Sequence, residues 1–197
     1  MSNQFQSLRL RSLNGTYSIH GLEPSLNLDV QDSAIHLLTD FLTRKPPVMD
    51  SQLSVPEARS RMNQADTAIK LVVNAEGDYV GVISLDVLNG EVPLGLAARR
   101  GVAASDILVQ DIMIRINDLP AIHYRDLIEA SVGELVSTFD KTHKPCLLIM
   151  DDDQEGRAAL RGMVLAADLA ARSRISLDLK PRATSFSEIV NAVQGRF

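Results

Sequence analysis

The feature that most constrains this chain is an internal duplication. Ser54-Val55-Pro56-Glu57-Ala58-Arg59-Ser60-Arg61-Met62 is echoed by Ser131-Val132-Gly133-Glu134-Leu135-Val136-Ser137-Thr138-Phe139. Both begin Ser-x-x-Glu ahead of a helical pattern, the signature of a capping box, in which serine and glutamate satisfy the free N–H groups of a helix start. Pro56 fits the first turn, where its missing N–H costs nothing. The echo continues without a gap. Ile69-Lys70-Leu71-Val72-Val73-Asn74 aligns with Cys146-Leu147-Leu148-Ile149-Met150-Asp151, and short apolar runs ending at a turn residue read as buried strands. A second strand follows each turn, Tyr79 to Ile83 and Leu160 to Val164, and each leads into a short helix containing an aspartate, Asp86 or Asp168.

A unit of about 60 residues is small for an independent core. Two copies that bury one face against each other solve that problem, so the expected architecture is α/β (α+β): two pseudo-two-fold-related repeats, each a small sheet packed with helices. A weaker strand is expected before each capping box, around Val48-Met49 and Leu119-Ile122. Ala34 to Leu42 carries apolar residues at Ile35, Leu38 and Leu42 and is expected to form a helix capped by Asp32 or Ser33. The segment between the repeats reads as one or two helices broken near Gly101. "ISLDL" alternates like a strand, and "TSFSEIVNAV" offers a last capped amphipathic helix. The expected divisions are an N-terminal extension, partly mobile, at 1–32, a first repeat with its leading helix at 33–90, a joining helical segment at 91–108, a second repeat at 109–173, and a C-terminal strand and helix at 174–197.

Composition removes several functional classes. The formal net charge of the 197 residues is -5, with no long basic block, which argues against nucleic acid as a partner. The single cysteine, Cys146, excludes a disulfide framework and a cysteine-rich zinc site within one chain. No stretch approaches the roughly 18 apolar residues of a membrane helix, and no secretory segment opens the chain, so a cytoplasmic protein is expected. His20, His36, His123 and His143 lack zinc spacing, and no Gly-x-Ser-x-Gly elbow or Walker loop supports catalysis. Cys146 lies inside an apolar run and reads as a buried small hydrophobe. Asp151-Asp152-Asp153 lacks the glycine and distal glutamate of a calcium loop and reads as a hairpin tip. Among 15 arginines, Arg99, Arg100 and Arg172 are phosphate-binding candidates, weighed against ordinary solvated roles.

The ordered set "KPPVMD", "PEARSRM", "AIKLVV" and "GVIS", repeated as "VQDIMI", "GELVSTF", "PCLLIM" and "GMVL", resembles a tandem pair of CBS (cystathionine-beta-synthase) domains, a Bateman module. The flanks resemble those of stand-alone bacterial CBS-domain proteins. The resemblance implies a non-catalytic regulatory module that binds an adenosine-containing ligand such as AMP, ADP, ATP or S-adenosylmethionine in clefts between the halves. It also implies homodimerisation and an unknown regulated protein as partner, and no required cofactor or metal.

In that pattern a glycine-led strand ends in Thr or Ser, and an aspartate three residues later accepts hydrogen bonds from the ribose hydroxyls. Carried onto this chain, the polar positions are Ser84, Asp86 and Asp168. The apolar strand ends and backbone groups around the adenine are Pro47, Ile69, Met113, Ile114, Pro145, Cys146 and Ala167. Both copies depart from the pattern. In the first, Asp86 comes one residue early and Val87 stands at the aspartate position. In the second, Asp168 is in register but Leu165 replaces the hydroxyl. Two readings of the aspartates remain open, a charge at a helix start or a ligand contact. A degenerate pair acting as a ligand-free interaction module is the alternative function.

Overall fold

The computed structural model describes residues 27–65 and 67–177. The N-terminal extension up to residue 26 and the expected C-terminal helix lie outside them; of the expected "ISLDL" strand, Ile175 to Leu177 are described and form no strand, and Asp178 and Leu179 lie outside.

The described chain builds two four-stranded sheets with helices around them, a mixed α/β architecture. In the first sheet β2 (Val48–Asp50) runs parallel to β3 (Ile69–Val73), which pairs antiparallel with β4 (Tyr79–Ser84). In the second, β6 (Ala121–His123) runs parallel to β7 (Cys146–Asp152), which pairs antiparallel with β8 (Ala158–Leu165). The two hairpins share a register irregularity at matching places, between Val72 and Val73 and between Ile149 and Met150. Both repeat helices, α1 (Val55–Gln64) and α6 (Val132–Thr142), start as their capping sequences dictate. The Glu57 carboxylate accepts from the Ser54 N–H and hydroxyl at 3.2 and 2.8 Å, and that of Glu134 accepts from the Ser131 N–H and hydroxyl at 2.7 and 2.8 Å.

The fourth strand of each sheet comes from the other repeat. β1 (Thr39–Asp40), in the leader of the first repeat, pairs with β8 of the second. β5 (Ile114–Arg115), in the leader of the second repeat, pairs with β4 of the first. The exchange extends to the helix starts. The Ala34 N–H donates to Ala130 O and Val132 N–H to Asp32 O, both at 2.9 Å. The matching pair, Val109 N–H to Leu53 O and Val55 N–H to Ile107 O, is also at 2.9 Å.

This exchange corrects the helix expected over Ala34 to Leu42. Only a 3-10 turn forms, at Ala34–Leu37, because Leu38 is extended and the chain must enter β1 to complete the far sheet. Leu42, assigned to the apolar face of that helix, is 75% exposed. The joining segment behaves as its sequence suggests. A helix, α3 (Val92–Arg100), ends at Gly101, whose positive φ of 67° terminates it in the left-handed region. A short helix, α4 (Val109–Ile112), then leads to β5.

Side chains follow the same exchange. Ala34 and Leu37 are buried with Leu127, Val132, Leu135, Phe139, Leu147, Ile149, Val164 and Leu169 of the second half. Ile107, Val109 and Ile112 are buried with Met49, Ala58, Met62, Val72, Ile83 and Leu88 of the first. Each fully buried Leu, Ile or Val contributes about 1.5–3 kcal/mol, so neither core is complete without the other repeat's leader. A third cluster, Ile69, Leu71, Val82, Cys146 and Met163, fills the space between the sheets.

Candidate functional site

At both repeats a strand passes directly into a helix: β4 into α2 (Leu85–Asn89) and β8 into α7 (Ala166–Ser173). The backbone holds these junctions identically. The Leu85 N–H donates to Ala68 O at 2.8 Å, and the Ala166 N–H to Pro145 O at 3.0 Å. Since Ile69 pairs with Ser84 and Cys146 with Leu165, the two strands fix an unambiguous equivalence. Ser84 corresponds to Leu165, Asp86 to Ala167, and Val87 to Asp168. The register shift of Asp86 read from the sequence is therefore a shift in space.

The two junctions meet at one cleft of about 240 Å3. Its lining includes three structurally equivalent pairs, Ala68 with Pro145, Leu85 with Ala166, and Asp86 with Ala167, so it straddles the pseudo-two-fold. Ile69, Ser84, Ala170 and Leu177 complete it. Of the residues singled out in the sequence, the structure thus brings together Ile69, Ser84, Asp86, Pro145 and Ala167, with Asp168 the next residue along α7.

The polar groups differ in their commitments. The Ser84 hydroxyl caps α2, accepting from the Val87 N–H at 3.3 Å. Leu165 offers α7 no such cap. Asp168 sits in the first turn of α7, partly buried, and its carboxylate accepts no hydrogen bond among the described residues. Burial pushes this carboxyl above its ordinary value, and the positive charge of Arg172 pulls it part of the way back. Arg172 itself donates through Nη1 to the carbonyl of His36. Asp168 is thus a desolvated carboxylate with unused acceptor capacity, an arrangement suited to a ligand that brings hydroxyl or N–H donors.

Four of the residues singled out in the sequence lie elsewhere. Cys146 is fully buried between the sheets, and burial pushes its thiol up to about 12. Ile114 is taken into β5, opposite Val82, by the strand exchange. Pro47 serves β2, its carbonyl accepting from the Leu71 N–H at 2.8 Å. Met113 lines a separate groove beside α3 with Glu91, Val92, Leu96 and Ile112. The other sequence candidates also find structural roles. Arg100 pairs with Asp111 at 2.9 Å. Asp153 closes the hairpin tip by accepting from the N–H groups of Glu155 and Arg157. Among the described residues no group of three or more His, Cys, Asp or Glu side chains is arranged to hold a metal ion, and no helix is long and apolar enough to cross a membrane.

Sequence reasoning missed one charged cluster, which fastens β1 to the second sheet. Arg161 of β8 pairs with Asp40 of the exchanged β1 at 3.1 Å and with Asp151 of β7 at 2.7 Å, and stacks over the Tyr124 ring 4.0 Å from its centroid. The sequence separation of 121 between Asp40 and Arg161 leaves no local signal for this pairing.

Comparison with known proteins agrees with this topology. Residues 38–88 match the family model of the CBS domain. No curated protein matches significantly. An uncharacterised conserved protein from Pyrococcus horikoshii shares the fold, with a TM-score of 0.51, 22% identity, and coverage of 77% of this chain and 98% of its own. A CBS domain protein from Streptococcus pneumoniae gives a TM-score of 0.46 at 14% identity over 71% of this chain and 85% of its own. The crystal structure of CBSX2 in complex with AMP gives 0.46 at 15% identity over 71% and 93%. The matched region spans β1 to α2.

Proposed function

We propose that the chain is a tandem CBS pair, its second repeat at 109–173, that acts as a non-catalytic regulatory module. An adenosine-containing ligand occupies the cleft at the two strand-to-helix junctions, with Asp168 accepting from the ribose hydroxyls. Ser84, Asp86, Ile69, Pro145 and Ala167 form the rest of its surroundings. The observation that carries this reading is the convergence of both junctions on one cleft beside a carboxylate with no hydrogen-bond partner among the described residues.

The cleft is built from both halves, so a ligand there contacts both at once. It favours one arrangement of the halves to the extent that its affinities for two arrangements differ. A regulated protein reads the resulting surface. Homodimerisation belongs to the same proposal and is supported by the exposed apolar side chains of Val92 and Leu94 on α3.

A second reading, a degenerate pair that has become an interaction module, is favoured by Leu165 at the position equivalent to Ser84. Thermal unfolding with AMP, ADP, ATP, adenosine and S-adenosylmethionine separates the two. A ligand at a hundred times its dissociation constant contributes about 2.7 kcal/mol, on the order of 5–10 °C for a chain of this size. A shift with at least one of them is expected. No shift with any of them rejects the sensor and leaves the interaction module.

A further inference from the structure

We infer that the cleft is selective by charge, taking an uncharged or cationic nucleoside in preference to a phosphorylated one. This rests on the adenosine-cleft reading above and names the chemical class of its ligand.

Three observations carry it. The first is the charge of the lining. Among the described residues the lining is apolar except for Ser84 and Asp86 and includes no lysine or arginine. Asp168 adds a second carboxylate beside Ala167. The nearest cation on the same helix, Arg172, has its guanidinium drawn to the His36 carbonyl. A phosphate would enter a lining whose one charged group is the Asp86 carboxylate, with the Asp168 carboxylate, partly offset by Arg172, one residue beyond the lining.

The second concerns the helix starts. The N-terminus of a helix carries about half a positive charge, which normally draws phosphate. Here each helix that meets the cleft places a full negative charge in its own first turn, Asp86 in α2 and Asp168 in α7. Each carboxylate opposes the attraction of its helix start for phosphate, at α7 with the Arg172 charge acting against it. Leu165, which precedes α7, supplies no hydroxyl donor to a phosphate either.

The third is size. At about 240 Å3 the cleft falls below the roughly 300–1,000 Å3 typical of small-molecule pockets. It suits a nucleoside better than a di- or triphosphate. Both carboxylates remain useful to such a ligand, since ribose hydroxyls and an ammonium or sulfonium centre are what a carboxylate attracts.

Calorimetric titration of the full chain with adenosine, S-adenosylmethionine, AMP, ADP and ATP at physiological salt tests the inference. Adenosine and S-adenosylmethionine are expected to bind, AMP at least tenfold more weakly than adenosine, and ADP and ATP more weakly again. In Asp86→Asn the gap between adenosine and AMP is expected to narrow at least threefold. AMP or ATP binding as tightly as adenosine overturns the charge selectivity while leaving the adenosine cleft standing. An unchanged gap in Asp86→Asn overturns the assignment of selectivity to that carboxylate. If none of the five binds, the cleft reading itself fails and the inference falls with it.

Discussion

Gly162 of β8 lies so close to Thr39 of β1 that a Cβ on it would stand 2.5 Å from the Thr39 carbonyl oxygen and 2.8 Å from Leu38 Cδ1. Gly81, its equivalent in β4, meets the Ile114 carbonyl of β5 in the same way. The glycine that leads each of these strand segments is therefore explained by the exchange: it lets the other repeat's leader close the sheet. Replacing Gly162 or Gly81 with Ala forces that leader outward, at a cost of about 1–3 kcal/mol. At 2–4 °C per kcal/mol for a chain of this length, the midpoint falls by roughly 2–12 °C. Gly95, inside α3 with nothing within 4 Å of its Cβ position, is the control, and Gly95→Ala is expected to raise the midpoint slightly.

The Arg161 cluster fastens β1 to its host sheet. Burial pushes the Asp40 carboxyl up, but the hydrogen bonds from Arg161 and from the Leu42 N–H outweigh it and hold the group below its ordinary value. Asp151 is lowered chiefly by the hydrogen bond from Arg161. Carboxylates with lowered folded values contribute stability that is present above the unfolded value near 3.8 and lost as the pH falls through the folded one. Asp40→Asn should lower the midpoint at pH 7 by about 2–4 °C, with the difference from wild type shrinking below pH 4. A difference that stays constant down to pH 3 would show that the pairing contributes nothing.

Cys146 should be chemically silent in the native state. Its thiol is 0% exposed and pushed up to about 12, so almost no thiolate exists at neutral pH. A disulfide-exchange reagent at pH 8 is expected to label it only at the rate of unfolding. Labelling within seconds under native conditions would contradict the burial between the sheets.

Asp168 makes the opposite pH argument from Asp40. Its folded value is raised, so its contribution to stability is present below the unfolded value near 3.8 and lost as the pH rises through the folded value. At neutral pH the ionised, partly buried carboxylate is a cost to the unliganded fold. Asp168→Asn should therefore raise the midpoint of the unliganded protein at pH 7 and leave it nearly unchanged at pH 3, as measured by thermal unfolding at both.

Much of this fold was legible in the sequence because its signals are local. Ser54 and Ser131 mark helix starts within three residues of their partners, and the apolar runs at Ile69 and Cys146 specify the paired strands. The leaders were not legible. β1 and β5 are two residues each, too short for a period, and their pairing with β8 and β4 is decided by tertiary fit. The helical spacing of Ile35, Leu38 and Leu42 misled for that reason. The six-residue helix α5 (Tyr124–Glu129) and the Arg161 cluster went unseen because no spacing announces them. The junctions were legible as motifs, and Asp86 and Ala167 do line one cleft. Ile114 and Pro47, assigned by motif position, are not among the residues that line it.

If the Asp168 carboxylate holds a ligand in this cleft, calorimetric titration of adenosine into wild type and into Asp168→Ala at pH 7 reads it out. Saturable binding to wild type is expected, weakened at least tenfold, about 1.4 kcal/mol, in the variant. Equal affinity in a folded Asp168→Ala would contradict it.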